Sequence, residues 1–179
     1  MPTTRRIVLI GPRGAGKSRV GELLAARLGM EFADADKEVE RATGRRVEDL
    51  LAMRRFREDE RRILRKLLAR RAGVLAAGGG AVLWEGFGPA TRGWTVVWLD
   101  ADPMVLAARI RRDGLESRPS LTGEAPDLES GAVARERAPR YAACASLRID
   151  TSSLGPEQVA LRIEEFLLGH ADPDPADAD

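Results

Sequence analysis

Eight residues near the start of the chain, Gly11-Pro12-Arg13-Gly14-Ala15-Gly16-Lys17-Ser18, carry the pattern G-x-x-x-x-G-K-[ST]. Glycines at these places let backbone N–H groups converge on an anion, and a helix opening directly behind them aims its positive dipole end at the same point. A lysine there reaches the outer phosphates of a nucleoside triphosphate, and the hydroxyl of the next residue suits Mg²⁺. So short a pattern means something only in context, and the context is right. Ile7-Val8-Leu9-Ile10 reads as a buried parallel strand before it. Val20, Leu23, Leu24 and Leu28 recur at helical intervals after it. The chemistry implied is binding of a nucleoside triphosphate through Gly14, Ala15, Gly16, Lys17, Ser18 and Arg19.

Two carboxylates follow in Phe32-Ala33-Asp34-Ala35-Asp36. One reading is helix capping, with Asp36 as N-cap of a helix over Lys37–Thr43. The other places both beside the phosphate loop, Asp34 holding Mg²⁺ directly or through water and Asp36 accepting from a substrate hydroxyl. Spacing alone leaves the two readings even. The run Gly78-Gly79-Gly80 is costly to order, so a loop that keeps three glycines points to close backbone approach by a ligand. Arg118-Pro119 precedes a turn-rich stretch over Ser120–Pro126, the natural place for a lid across about 113–126. Arg57, Arg118 and Arg137 are, by composition, indistinguishable from solvated charges in so arginine-rich a chain.

The elements that must position these residues alternate. Strands are expected at Arg6–Ile10, Glu31–Asp34, Val74–Ala77, Thr95–Asp100 and Leu147–Asp150. Helices are expected at Lys17–Leu28, Lys37–Thr43, Val47–Arg71, Pro103–Arg112, Leu128–Tyr141 and Pro156–Leu168, with Pro103 and Pro156 in first turns. Such alternation predicts an α/β fold, a parallel sheet with helices on both faces and ligands beyond the carboxyl ends of the strands.

The sequence has 179 residues, which suits one domain over 1–170, with an acidic, proline-interrupted tail at 171–179 expected to be disordered. A formal net charge of +1 argues against a nucleic-acid partner. One cysteine, Cys144, excludes an internal disulfide and fits a reducing compartment. No signal-peptide pattern precedes the first strand and no long apolar run spans a membrane, so the expected location is cytoplasmic.

Together these segments resemble the shikimate kinase family, from about Arg6 to Leu168. The resemblance is carried by an ordered set: the phosphate loop, Phe32-Ala33-Asp34-Ala35-Asp36, Thr43-Gly44-Arg45, Phe56-Arg57 with Glu60, Gly78-Gly79-Gly80-Ala81, Arg118-Pro119, and Arg137-Ala138-Pro139-Arg140-Tyr141. It implies a three-layer P-loop kinase fold with a five-stranded parallel sheet in the order 2-3-1-4-5, flanked by helices, with a lid. It implies ATP-dependent phosphorylation of the shikimate 3-hydroxyl, with Mg²⁺, in a monomer. Lys17, Asp36 and Arg118 would be catalytic, with Asp36 a base or only an aligner. Arg111, Arg118 and Pro156 would join the phosphate loop in binding ATP. Asp36, Arg57, Gly78, Gly79, Gly80 and Arg137 would bind shikimate, guanidiniums meeting its carboxylate. Ser18 and Asp34 would hold the metal.

The chain departs from the family's common pattern at Ala52-Met53, at Ala76 and Ala77 before the glycine run, and at Leu154. Competing readings are a P-loop kinase for another small hydroxy acid such as gluconate, a nucleoside monophosphate kinase, and a non-catalytic nucleotide-binding paralogue.

Overall fold

The computed structural model describes residues 5–46, 49, 56–70, 73–113, 120 and 124–170. Its strands are β1 (Arg6–Ile10), β2 (Phe32–Asp34), β3 (Gly73–Ala76), β4 (Thr95–Asp100) and β5 (Leu147–Asp150). Its helices are α1 (Lys17–Leu28), α2 (Ala35–Thr43), α3 (Phe56–Leu68), α4 (Phe87–Ala90), α5 (Pro103–Arg112), α6 (Pro126–Cys144) and α7 (Pro156–Gly169), with a 3₁₀ turn at Ala81–Leu83. The strands form one parallel sheet in the order β2-β3-β1-β4-β5, as the resemblance implied. The tail at 171–179 lies outside the described residues, as does most of the segment between α5 and α6.

Alternation along the strands builds two cores. Side chains of successive strand residues point to opposite faces. Val8, Ile10, Leu75, Val96 and Trp98 therefore face a layer containing Phe56, Ile63, Leu64 and Leu67 of α3 and Tyr141 of α6. Ile7, Leu9, Val74, Val97 and Leu99 face Val20 and Leu24 of α1, Leu106 of α5, and Val159, Ile163 and Leu167 of α7. Each buried Leu or Ile of this kind stabilises the fold by roughly 1.5–3 kcal/mol before entropy is counted. Burial on both faces explains why β1 reads as an unbroken apolar run.

Of the two even readings of the Asp34 and Asp36 carboxylates, capping by Asp36 is not met. Asp36 is not the N-cap of the helix after β2. That helix starts at Ala35, and Asp34 caps it, Oδ1 accepting from the N–H groups of Asp36 (3.0 Å) and Lys37 (3.3 Å). Asp36 thus lies inside the first turn, and its side chain is released for other work. The long helix expected at Val47–Arg71 is α3, with residues 47, 48, 50–55 and 71 outside the described ones.

Candidate active site

The phosphate loop leaves β1 at the carboxyl edge of the sheet. Gly16, at φ 91°, lies in the left-handed region and turns the chain into α1. A side chain there would be strained, and no side chain caps the helix, so the first N–H groups of α1 remain available to an anion. Lys17 Nζ donates to the carbonyls of Gly11 (2.9 Å) and Pro12 (2.8 Å), which hold the ammonium over the loop. Ser18 Oγ donates to Asp34 Oδ2 at 2.5 Å. Asp34 therefore divides its labour: one oxygen fixes the start of α2, and the other meets the serine. A hydroxyl and a carboxylate oxygen, adjacent beside the phosphate loop, form a hard donor set that fits Mg²⁺, which takes few protein ligands and completes its shell with phosphates and water.

A cavity of about 790 Å³ opens here. Arg13, Gly14, Ala15, Gly16, Lys17, Ser18 and Arg19 form one wall, and Asp34, Asp36, Ala76 and Ala77 another. Its far end is made by Arg109, Arg112, Thr151, Leu154 and Pro156, the loop after β5 facing the end of α5. Arg109 ties these parts together, donating to Gly14 O (3.3 Å), Thr151 Oγ1 (3.0 Å) and Thr151 O (2.6 Å). Burial holds its pKa below the usual arginine value. Pro156 lines this end of the cavity. Arg111 turns toward α6, Nη1 3.7 Å from Asp127 Oδ2, while Arg109 and Arg112 are the α5 arginines on the cavity wall. Arg118 lies outside the described residues.

The glycine run forms the floor on the other side of the loop. A β-carbon on Gly78 would fall 2.5 Å from Glu60 Oε1 and 2.7 Å from Asp36 Oδ1, so the two carboxyl groups converge where a side chain would stand. Both of those oxygens are sealed from solvent without a hydrogen-bond partner among the described residues. Burial, with repulsion from Glu60 and Asp34, pushes the Asp36 carboxyl up to about 7, against the pull of Lys17 and Arg13. Glu60 accepts from Arg57 Nη1 through its other oxygen at 2.7 Å. Arg57 stretches across Gly80, whose β-carbon position lies 2.0 Å from Nη1.

Two residues of α6 complete the floor. Arg137 Nη1 (2.9 Å) and Tyr141 OH (2.6 Å) both donate to Gly79 O. Arg137 is only 8% exposed. Burial pushes the Tyr141 hydroxyl up to about 12, so it stays a donor. The β-carbon position of Gly79 is 3.5 Å from Gly11 O and 3.7 Å from Arg13 N, which puts the glycine loop directly against the phosphate loop. Asp36, Arg57, Gly78, Gly79, Gly80 and Arg137 are thus one assembly beside Lys17. Sequence reasoning gave Tyr141, Arg109 and Arg112 no role. Tyr141 had a signal in the Arg137–Tyr141 motif, one helical turn apart; the two arginines had none beyond their place on α5.

The chain matches the family model for shikimate kinase over residues 13–168. It is 42% identical over 165 residues to the shikimate kinase of Symbiobacterium thermophilum, covering 90% of this chain and 95% of that one. It is 40% identical over 169 residues to that of Thermobifida fusca, covering 92% and 96%. Among solved structures, the shikimate kinase from Acinetobacter baumannii in complex with shikimate superposes with a TM-score of 0.88 at 33% identity, over 96% of this chain and 97% of that one. The fold agrees with this likeness, and the chain belongs to the shikimate kinase family.

Proposed function

We propose that this protein transfers the γ-phosphoryl group of ATP to the 3-hydroxyl of shikimate, releasing ADP and shikimate 3-phosphate, on the way to chorismate and the aromatic amino acids. One observation carries the reading beyond nucleotide binding. Gly79, held by Arg137 and Tyr141, sits against the phosphate loop with Asp36 and Arg57 on its flanks. A small ring acid with hydroxyls needs this set: guanidiniums for its carboxylate, a carboxyl acceptor and backbone groups for its hydroxyls. The Acinetobacter baumannii relative was solved with shikimate.

On this reading the loop N–H groups and Lys17 cradle the phosphates, and Lys17 follows the charge that develops on the transferred group. Ser18 and Asp34 would hold Mg²⁺, which would supply positive charge to offset that of the phosphates. Asp36 aligns the acceptor hydroxyl and takes its proton as the bond to phosphorus forms. Arg57 and Arg137 grip the carboxylate, Glu60 keeping Arg57 in place. Arg109, Arg112 and Pro156 line the end of the cavity where the base belongs. By the family resemblance Arg118 would neutralise charge on the transferring phosphates, and Arg118→Ala would lower kcat by about 10³-fold or more, as loss of an arginine finger does. The protein works as a single-domain cytoplasmic monomer, with no membrane or nucleic-acid partner.

A coupled assay of ADP release across shikimate, gluconate and nucleoside monophosphates tests the assignment. Stimulation by shikimate alone is expected. Stimulation by gluconate without an effect of shikimate overturns it.

A further inference from the structure

Glu129, in the first turn of α6, is an acid with 2% of its surface exposed. The helix N-terminus favours its charge, but a carboxylate at that depth must also find cations or donors. Its Oε1 lies 4.0 Å from Arg13 Nη1, and its Oε2 accepts from Ser120 Oγ at 3.2 Å. Arg13 occupies one of the variable places of the phosphate-loop pattern, so phosphate binding does not itself call for an arginine there.

The surroundings of Arg13 belong to the acceptor side. Its backbone N and Arg137 Nη1 lie 3.7 and 3.9 Å from one point, the β-carbon position of Gly79. It lines the main cavity together with Asp36, and its positive charge acts on that carboxyl. We propose that Glu129 is a positioning residue that holds the Arg13 guanidinium toward the acceptor pocket, where Arg13 serves the anionic acceptor alongside Arg57 and Arg137. This inference rests on the function proposed above. The pair joins the phosphate loop to the helix that carries Arg137, so the acceptor pocket is partly built from the nucleotide site.

Four proteins test this: wild type, Glu129→Gln, Arg13→Ala and the double variant, with Arg13→Lys as the conservative control. Glu129→Gln and Arg13→Ala should each raise the shikimate KM by about 5- to 20-fold, with the ATP KM within about twofold, the scale of one lost charge-assisted contact. The double variant should be no worse than the worse single, because Glu129 acts through Arg13. Arg13→Lys should recover part of the loss. An unchanged shikimate KM in Glu129→Gln, equal rises in both KM values, or a Glu129→Gln effect that persists in full without Arg13 overturns the proposal. The same four proteins are compared by thermal unfolding without substrate. Non-additive Tm shifts support the coupling and additive shifts overturn it, whereas a wild type that ignores shikimate refutes the function reading instead.

Discussion

Arg137 and Tyr141 stand one turn apart on α6 and donate to the same acceptor, the carbonyl oxygen of Gly79. The shared oxygen makes the arginine both a prop for the glycine loop and a candidate ligand for the acceptor. Arg137→Lys should therefore fail to substitute, because an ammonium cannot offer a carboxylate two parallel N–H bonds while also holding Gly79. The shikimate KM of Arg137→Lys should rise by about 10- to 100-fold with a smaller change in kcat, and Tyr141→Phe should raise it by less, about two- to fivefold. Steady-state kinetics check both, and a Tyr141→Phe protein more impaired than Arg137→Lys would reverse the assignment.

The short contact between Ser18 Oγ and Asp34 Oδ2 predicts a metal phenotype. Ser18→Ala removes the hydroxyl proposed to bind the metal without disturbing the capping oxygen of Asp34, so the Mg²⁺ needed for half-maximal rate should rise by about tenfold while fold stability holds. Asp34→Ala removes both oxygens and should also weaken α2, by about 0.5–2 kcal/mol, through loss of its cap. Magnesium titrations of rate, paired with urea unfolding, separate the two effects. An unchanged Mg²⁺ requirement in Ser18→Ala would remove this serine from the metal site.

Much of this was legible in the sequence, and the parts that were not share a cause. The limits of β1, α1, β4, α5 and β5 follow from apolar periodicity and from the loop and cap residues beside them. Asp34 and Asp36 exchanged the capping role because both types cap helices, and only the point where the chain curls off β2 decides between them. Arg111 and Arg112 differ by about 100° around α5, a rotation fixed by where Leu106 and Ile110 bury and not by local pattern. Glu129 was invisible because its cationic partner, Arg13, lies far away in sequence. An acid in a first helical turn ordinarily reads as a solvated charge serving the dipole.

The raised carboxyl of Asp36 makes stability depend on pH in a known direction. Its ordinary unfolded value is about 3.9, and in the folded protein it is pushed up to about 7. The folded state thus holds this proton more tightly. Its contribution is fully present below about pH 4 and is lost as pH rises through 7, when a half-buried carboxylate must ionise near Glu60. Asp36→Asn carries no such charge. Its stability advantage over wild type should grow by roughly 1–3 kcal/mol between pH 5 and pH 8, while activity falls. Urea denaturation at the two pH values measures the gap, and a gap independent of pH would mean that Asp36 ionises normally.

Gly78 is a point of the acceptor site where two carboxyl groups crowd the backbone. An alanine there would put a methyl 2.5 Å from Glu60 Oε1 and 2.7 Å from Asp36 Oδ1. Side-chain ends often yield to such crowding, but these two are restrained, Glu60 by Arg57 at 2.7 Å and Asp36 by its place in the first turn of α2. Displacing Glu60 releases Arg57, so one methyl should disturb both the hydroxyl acceptor and a carboxylate donor. Gly78→Ala should lower kcat/KM for shikimate by about 10²-fold or more, yet leave ATP affinity within about twofold because the phosphate loop is untouched. The cost to stability should be about 1–3 kcal/mol, the range for overpacking. Calorimetric binding of each ligand alone distinguishes this from general unfolding. If Gly78→Ala binds shikimate as the wild type does, Glu60 and Asp36 are not the rigid walls that the geometry makes them.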